Sequence, residues 1–282
     1  MEDLIIKTKL APKSSEHYYD RHGRAAYGSS IKQARAKGLY PSATTILAAA
    51  SSYPLDQWKK QNTANSSIDL ILEMINQEPW AHVRQQMTDP FLKTALISRI
   101  VKAADEVGKV AARFGTGIHD GAEAILNSDE WDKSNKTLVH LNQYLDDVVE
   151  ETFWAERNII SPLHLYAGRA DALIRHKVHG ICLVDFKTQK MQKQGDKYVA
   201  RFYPNYIRQL AAYAACCEPE PRCLSVVINS VTPEYPVEKL YTLEEQQKGL
   251  DAFLALAEFW CKDRNYDPRD FMDAEAEEAI SE

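Results

Sequence analysis

"YAGRADALIRHKVHGICLVDFKTQK", residues 166 to 190, decides how the chain folds. Two apolar runs flank "RHKVHG", a polar segment ending in Gly180, which is the signature of two antiparallel strands joined by a tight turn. Alternate residues of a strand share a face, so Ile181, Leu183, Asp185 and Lys187 point one way and Cys182, Val184 and Phe186 the other. Asp185 and Lys187 therefore emerge side by side at the end of a strand that is otherwise apolar. In the preceding strand Asp171 is the one acid, with Gly168 leaving room beside it. Pairing the two strands through the turn brings Asp171 next to Asp185.

Working outward from this hairpin, "TFWAERNIIS" upstream reads as a further strand, preceded by a helix from about Lys136 to Glu151. Downstream follow a basic loop, a helix "NYIRQLAAYAACC", a strand "CLSVVINSV", a strand near "VEKLYTL" and a closing helix "EEQQKGLDAFLALAEFW". The order predicts an α/β fold with a central mixed sheet flanked by helices. Ahead of it, "SEHYYDRHGRAAYG" reads as a short hairpin or loop, and "PSATTILAAAS" as a helix start capped by Ser42 or Thr44. The pattern is then helical to about Leu126, broken by proline at "QEPW" and "TDPF". The expected organisation is a mainly helical region over 1–110, a core over 111–262 and an acidic tail over 263–282.

Net charge is −6 over 282 residues, but the excess sits in the tail, leaving the remainder balanced. Such a tail reads as a solvated segment or as a partner-binding one. Local basic patches survive, one in the first 38 residues and one comprising Lys187, Lys190, Lys193, Lys197 and Arg201. The five cysteines form no CxxC pair, which argues against a zinc ribbon or a disulfide framework. With no apolar stretch of spanning length and an acid-containing start, the expectation is a cytoplasmic protein without a membrane partner.

Two adjacent carboxylates repel unless a cation lies between them. A hard divalent ion such as Mg²⁺ resolves this with oxygen ligands, and a lysine beside it can orient an attacking water or offset charge developing on a phosphate. Two more pairs fit that chemistry. In "RFGTGIHDGAEAIL", His119 and Glu123 stand four apart on one face of a helix expected to open with a glycine-rich turn. In "RQLAAYAA", Gln209 and Tyr213 stand four apart on a helix of small residues that packs closely on a sheet. In the basic loop, Phe202, Tyr203 and Tyr206 either stack on unpaired bases or anchor the loop to the core. For Trp58 the alternatives are likewise a nucleic-acid channel or the core.

Taken in order, "GTGIHDGAE", "YAGRADAL", "LVDFKTQK" and "QLAAYAA" resemble the PD-(D/E)XK nuclease superfamily, specifically its RecB-like exonuclease branch. The segments "YPSATTIL" and "LDQW" look like the N-terminal part of mitochondrial genome maintenance exonuclease and of phage-encoded exonucleases. The resemblance implies a restriction-endonuclease-like core and a metal-dependent exonuclease acting on single-stranded or linear DNA ends in recombination, repair or replication. It implies Mg²⁺ or Mn²⁺ held by His119, Asp171 and Asp185, with Lys187 as the catalytic lysine. Gln209, Tyr213, Thr188, Lys190, Ser42 and Thr44 would face the substrate, and Glu156 matches an acid often found one strand before the Gly-x-x-Asp. A bacterial or phage-infected cell and a recombination or replication protein partner follow from the same likeness. No cysteine precedes Cys182, so the iron–sulfur cluster of some relatives is not expected. A structure-directed endonuclease and a non-catalytic DNA-binding recombination protein remain open on the same fold.

Overall fold

The computed structural model describes residues 17–50 and 53–271. The chain forms two compact units: residues up to 50 together with those from 119 onward, and residues 51–118. This division differs from the boundary expected at 110, because the first described segment joins the sheet-containing unit.

In that unit β1 (Tyr18–Tyr19) pairs antiparallel with β2 (Tyr40–Pro41), and α1 (Ile31–Lys37) lies between them in sequence. A Ser30–Gln33 capping box opens α1, and Gly38 at φ 59° ends it, a left-handed conformation open to glycine at little cost. Helix α2 (Ala43–Leu47) follows, capped by Ser42. The second unit holds α3 (Tyr53–Gln77), α4 (Trp80–Thr88) and the first part of α5 (Pro90–Leu126), broken where the prolines predicted. Met74, Val83 and Leu96 form its buried cluster. Helix α5 does not open at the glycines of "RFGTGIHDG"; Gly115 and Gly117 lie well inside a continuous 37-residue helix, with neighbouring alanines and aliphatic residues carrying the helical preference.

The rest of the first unit follows the predicted order: α6 (Lys136–Val148), β3 (Val149–Ser161), β4 (Tyr166–His176), β5 (Gly180–Gln189), then α7 (Pro204–Ala214), β8 (Arg222–Asn229), β9 (Val237–Leu240) and α8 (Leu243–Arg264). The basic segment expected as a loop contains a small hairpin, β6 (Gln192–Gln194) with β7 (Lys197–Val199), turning at Gly195 with φ 61°. The main sheet has the order β3-β4-β5-β8-β9 and is mixed, with β5–β8 parallel and the other neighbours antiparallel. A parallel pair needs a crossover, which the β6–β7 hairpin and α7 supply. The small residues of α7 explain its close seat: Ala211, Ala212 and Ala214 are fully buried against a core that includes Leu183, Tyr166 and Phe253.

The start of the acidic tail belongs to this core. Tyr266 is buried, and its hydroxyl donates to the carbonyls of Ala34 and Leu39. Residues 272–282 lie outside the described residues. The five cysteines are free thiols, and among the described residues no helix is long and apolar enough to cross a membrane.

Candidate metal and phosphate site

The hairpin register places the central acids. His176 pairs with Gly180 and Ala172 with Val184, so Asp171 and Asp185 stand one step beyond the last matched pair. Asp171 Oδ2 accepts a 2.7 Å hydrogen bond from the backbone N–H of Phe186, which ties it to β5. On the other side of β4, Ala155 pairs with Ala172 and Arg157 with Ala170, which sets Glu156 against Asp171. Glu156 adopts φ 49°, a left-handed conformation that a non-glycine residue enters only at a cost, of order 1–3 kcal/mol. His119 of α5 completes the group, with Nδ1 3.4 Å from Asp171 Oδ2 and 3.5 Å from Glu156 Oε1.

The ligand atoms of His119, Glu156 and Asp171 all lie within 4.8 Å of one another. The expected third ligand, Asp185, is engaged differently. It is 2% exposed, and its Oδ1 accepts from the Lys187 ammonium at 2.5 Å, while its Oδ2 is buried with no hydrogen-bond partner. Lys187 also donates to Gln209 Oε1 at 3.2 Å and lies 5.6 Å from the centre of the Tyr206 ring. Gln209 Nε2 reaches the Tyr213 hydroxyl at 3.4 Å. Tyr213 in turn fills the space that Gly168 leaves open: a Cβ there would stand 2.4 Å from its hydroxyl oxygen. The spacing of Gly168, Asp171, Asp185, Lys187, Gln209 and Tyr213 is thus one connected arrangement.

The electrostatics follow from burial and opposite charge. Burial alone would lower the His119 pKa, but Asp171 and Glu156 outweigh it and hold the imidazole up at about 10. Burial would likewise raise Asp171, yet His119, Lys187 and the Phe186 N–H bring it below the ordinary carboxylate value. Asp185 goes the other way, pushed up to about 6 by burial, with Lys187 opposing and Asp171 adding to the rise. Lys187 lies above its ordinary value because its carboxylate neighbours outweigh its burial.

The donor set fits a divalent cation. The carboxylates of Glu156 and Asp171 supply oxygen donors, the ligands of Mg²⁺ and Mn²⁺, and Asp185 Oδ2 is a buried oxygen left without a hydrogen-bond partner. The imidazole of His119 is better matched to Mn²⁺ than to Mg²⁺.

The other expected residues lie on or beside α2, α3, α5 and the end of β5. Ser42 is buried, and its hydroxyl accepts from the Thr45 N–H as the cap of α2, while Thr44 is exposed with Oγ1 2.9 Å from Ser42 Oγ. Thr188 is half-buried beside Lys187 on β5, and Lys190 is exposed just beyond the strand. Trp58 is 40% exposed on α3, in the other unit. Glu123 meets Arg169 at 3.6 Å.

Arg169 is the residue that sequence reasoning missed. Its Nε contacts Glu156 Oε2 at 2.5 Å, leaving the opposite oxygen of that carboxylate toward His119. The available signal was its place inside "GRAD", on the strand that also carries Asp171.

A second donor cluster, His176, His179 and Glu238, also has ligand atoms within 4.8 Å of one another. Nδ1 of His176 accepts from the N–H groups of Val178 and His179, so the neutral ring carries its hydrogen on Nε2, 3.4 Å from Glu238 Oε2. Metal ligation at that nitrogen would have to remove this proton while the other nitrogen faces two donors, the reverse of the usual arrangement.

No family model matches the chain, and no curated protein matches it. Among solved structures, one described as "Crystal structure of SSO0001" matches over 73% of this chain and 84% of that one, with 18% identity and a TM-score of 0.27.

Proposed function

We propose that the protein is a divalent-metal-dependent deoxyribonuclease with a PD-(D/E)XK core, acting as an exonuclease on linear or single-stranded DNA ends. The observation that carries this reading is the Lys187 ammonium, held between Asp185 and Gln209 beside the His119–Glu156–Asp171 group. Asp171, Glu156 and His119 would hold the cation, and Asp185 Oδ2 is a further buried oxygen without a hydrogen-bond partner. When bound, Mg²⁺ or Mn²⁺ would lower the pKa of a water and offset charge on the scissile phosphate.

The chain's own residues supply the rest. Lys187, kept protonated by its carboxylate neighbours, positions the attacking oxygen and stabilises the negative charge that builds in the transition state. Gln209 fixes the ammonium, Tyr213 supports Gln209, and Arg169 holds Glu156 with one oxygen turned toward the cation position. Thr188 and the lysines beyond β5 offer donors and charge to neighbouring phosphates.

Linear and circular single-stranded DNA are incubated with Mg²⁺ or Mn²⁺ and the wild-type chain, Asp185→Ala or Lys187→Ala. Loss of linear DNA alone, abolished by both substitutions, is the expected result. Cleavage of circles would replace the exonuclease reading with an endonuclease, and binding without cleavage would replace it with a non-catalytic DNA-binding protein.

A further inference from the structure

Asp185, Lys187 and Gln189 alternate along β5 and share one of its faces. Helix α7 carries Tyr206, Gln209 and Tyr213, whose spacings of three and four put them on one side of the helix. Gln209 meets the Lys187 ammonium at 3.2 Å, and the Tyr206 ring, one turn earlier, has its centre 5.6 Å from the same nitrogen. The approach to this helix is tied to β5 itself. Gln189 Nε2 donates to the Arg201 carbonyl at 2.8 Å, and the Arg201 N–H donates to Gln189 Oε1 at 3.0 Å. Pro204 then opens α7, and the Tyr206 N–H donates to the Tyr203 carbonyl at 2.9 Å. The rings of Tyr203 and Tyr206, 5.5 Å apart at 87°, form an edge-to-face pair that braces Tyr206.

A lysine ammonium has three N–H donors and no acceptor. Asp185 Oδ1 takes one and Gln209 Oε1 another, so what lies on the remaining side decides whether a donor is left for chemistry. A polar side chain in the place of Tyr206 would accept the third N–H. An aromatic ring attracts the charge without holding a donor at hydrogen-bond length, and 5.6 Å lies inside the roughly 6 Å reach of a cation–π contact. The Lys187 side chain is only 21% exposed, so the attraction acts largely away from water, where it is strongest.

We propose that Tyr206 is a positioning residue of the site: its ring holds the Lys187 ammonium against Asp185 and Gln209 while leaving the third N–H for the reacting oxygen. Tyr206 is thereby engaged with the lysine instead of offering its ring to an unpaired base. The contact stands on geometry alone, whereas its effect on cleavage rests on the nuclease reading above.

The test uses the full chain with phenylalanine, 4-fluoro-, 3,5-difluoro- or 3,4,5-trifluorophenylalanine at position 206, beside Tyr206→Leu. Fluorination drains the ring of its negative face at nearly constant shape, which a ring that serves only as packing would not register. In urea unfolding without DNA or metal, the folding constant is expected to fall along the fluorine series, and to stay level when the series is repeated in Lys187→Met. With linear single-stranded DNA and Mg²⁺ or Mn²⁺, kcat is expected to fall along the same series at constant KM. Tyr206→Leu should lose about three- to thirtyfold in kcat, and Tyr206→Phe, which keeps the ring, should restore it. A level unfolding series, or the same slope in Lys187→Met, would overturn the contact. A falling unfolding series with level kcat, or a loss confined to KM, would overturn the positioning role. A wild-type chain that cuts no DNA while the unfolding series falls would sink the nuclease reading, and the role in cleavage with it, but not the contact.

Discussion

Replacing Gly168 by alanine probes the link between the fold and the candidate site. The added Cβ would stand 2.4 Å from the Tyr213 hydroxyl oxygen, 2.6 Å from Cε1 and 2.7 Å from Cζ, all well inside van der Waals contact. Tyr213 is 3% exposed and its ring is rigid, so the whole side chain must move. Overpacking of this kind costs about 1–3 kcal/mol. Alanine recovers about 0.5–1 kcal/mol of backbone entropy relative to glycine in a strand, which leaves a net loss of up to about 2.5 kcal/mol. At roughly 2–4 °C per kcal/mol, the midpoint should fall by up to about 10 °C. Gly121→Ala is the control. Its Cβ would also meet a neighbour at 2.4 Å, but that neighbour is Leu138 Cδ2, the end of a flexible side chain. The helix position recovers about 1 kcal/mol, so the net change should be near zero. Denaturant unfolding of Gly168→Ala in wild-type and Tyr213→Leu backgrounds measures the coupling. If the clash argument holds, Gly168→Ala becomes neutral or stabilising once the ring is gone. Equal costs in the two backgrounds, within about 0.5 kcal/mol, would refute it.

Three further outcomes are expected. Mn²⁺ at 100 times its dissociation constant should stabilise the wild type by about 2.7 kcal/mol, a rise of roughly 5–11 °C by thermal scan, and Asp171→Asn should lose the rise. Ser42→Ala should cost about 1 kcal/mol in chemical denaturation through loss of the α2 cap, with DNA affinity unchanged; a drop in affinity at full stability would return Ser42 to the substrate side. His176 has its pKa lowered by burial, with Glu238 opposing and His179 adding to the fall. As pH drops below the unfolded-chain value of about 6.5, the unfolded chain therefore takes up a proton that the folded chain resists, and stability falls. A stability curve against pH that does not flatten below this value in His176→Gln would contradict the assignment.

What could be read from the sequence, and what could not, divides along physical lines. The β4–β5 hairpin is legible because period-two alternation and a Gly180-terminated turn are local, and they alone put Asp171 level with Asp185. The prolines at 79 and 90 marked the breaks before α4 and α5 for the same reason. The β6–β7 hairpin was missed although Gly195-Asp196 between polar residues is a turn signal, because its strands are short and carry no apolar alternation. Inside the site, the different engagement of Asp185 and Glu156 lies beyond reach of the sequence. Both acids follow alternating strand residues, and nothing local says that Asp185 is drawn to Lys187 while Glu156, at φ 49°, turns toward His119. That choice is made by Arg169, which neutralises one oxygen of Glu156, and by the crossover that brings Gln209 over Lys187. Strain of this kind persists only where the surroundings over-determine it, and here they do so from strands β4 and β5 and helix α5. The acids of the site are therefore inherited from strand periodicity, whereas which acid faces the cation position is a tertiary property.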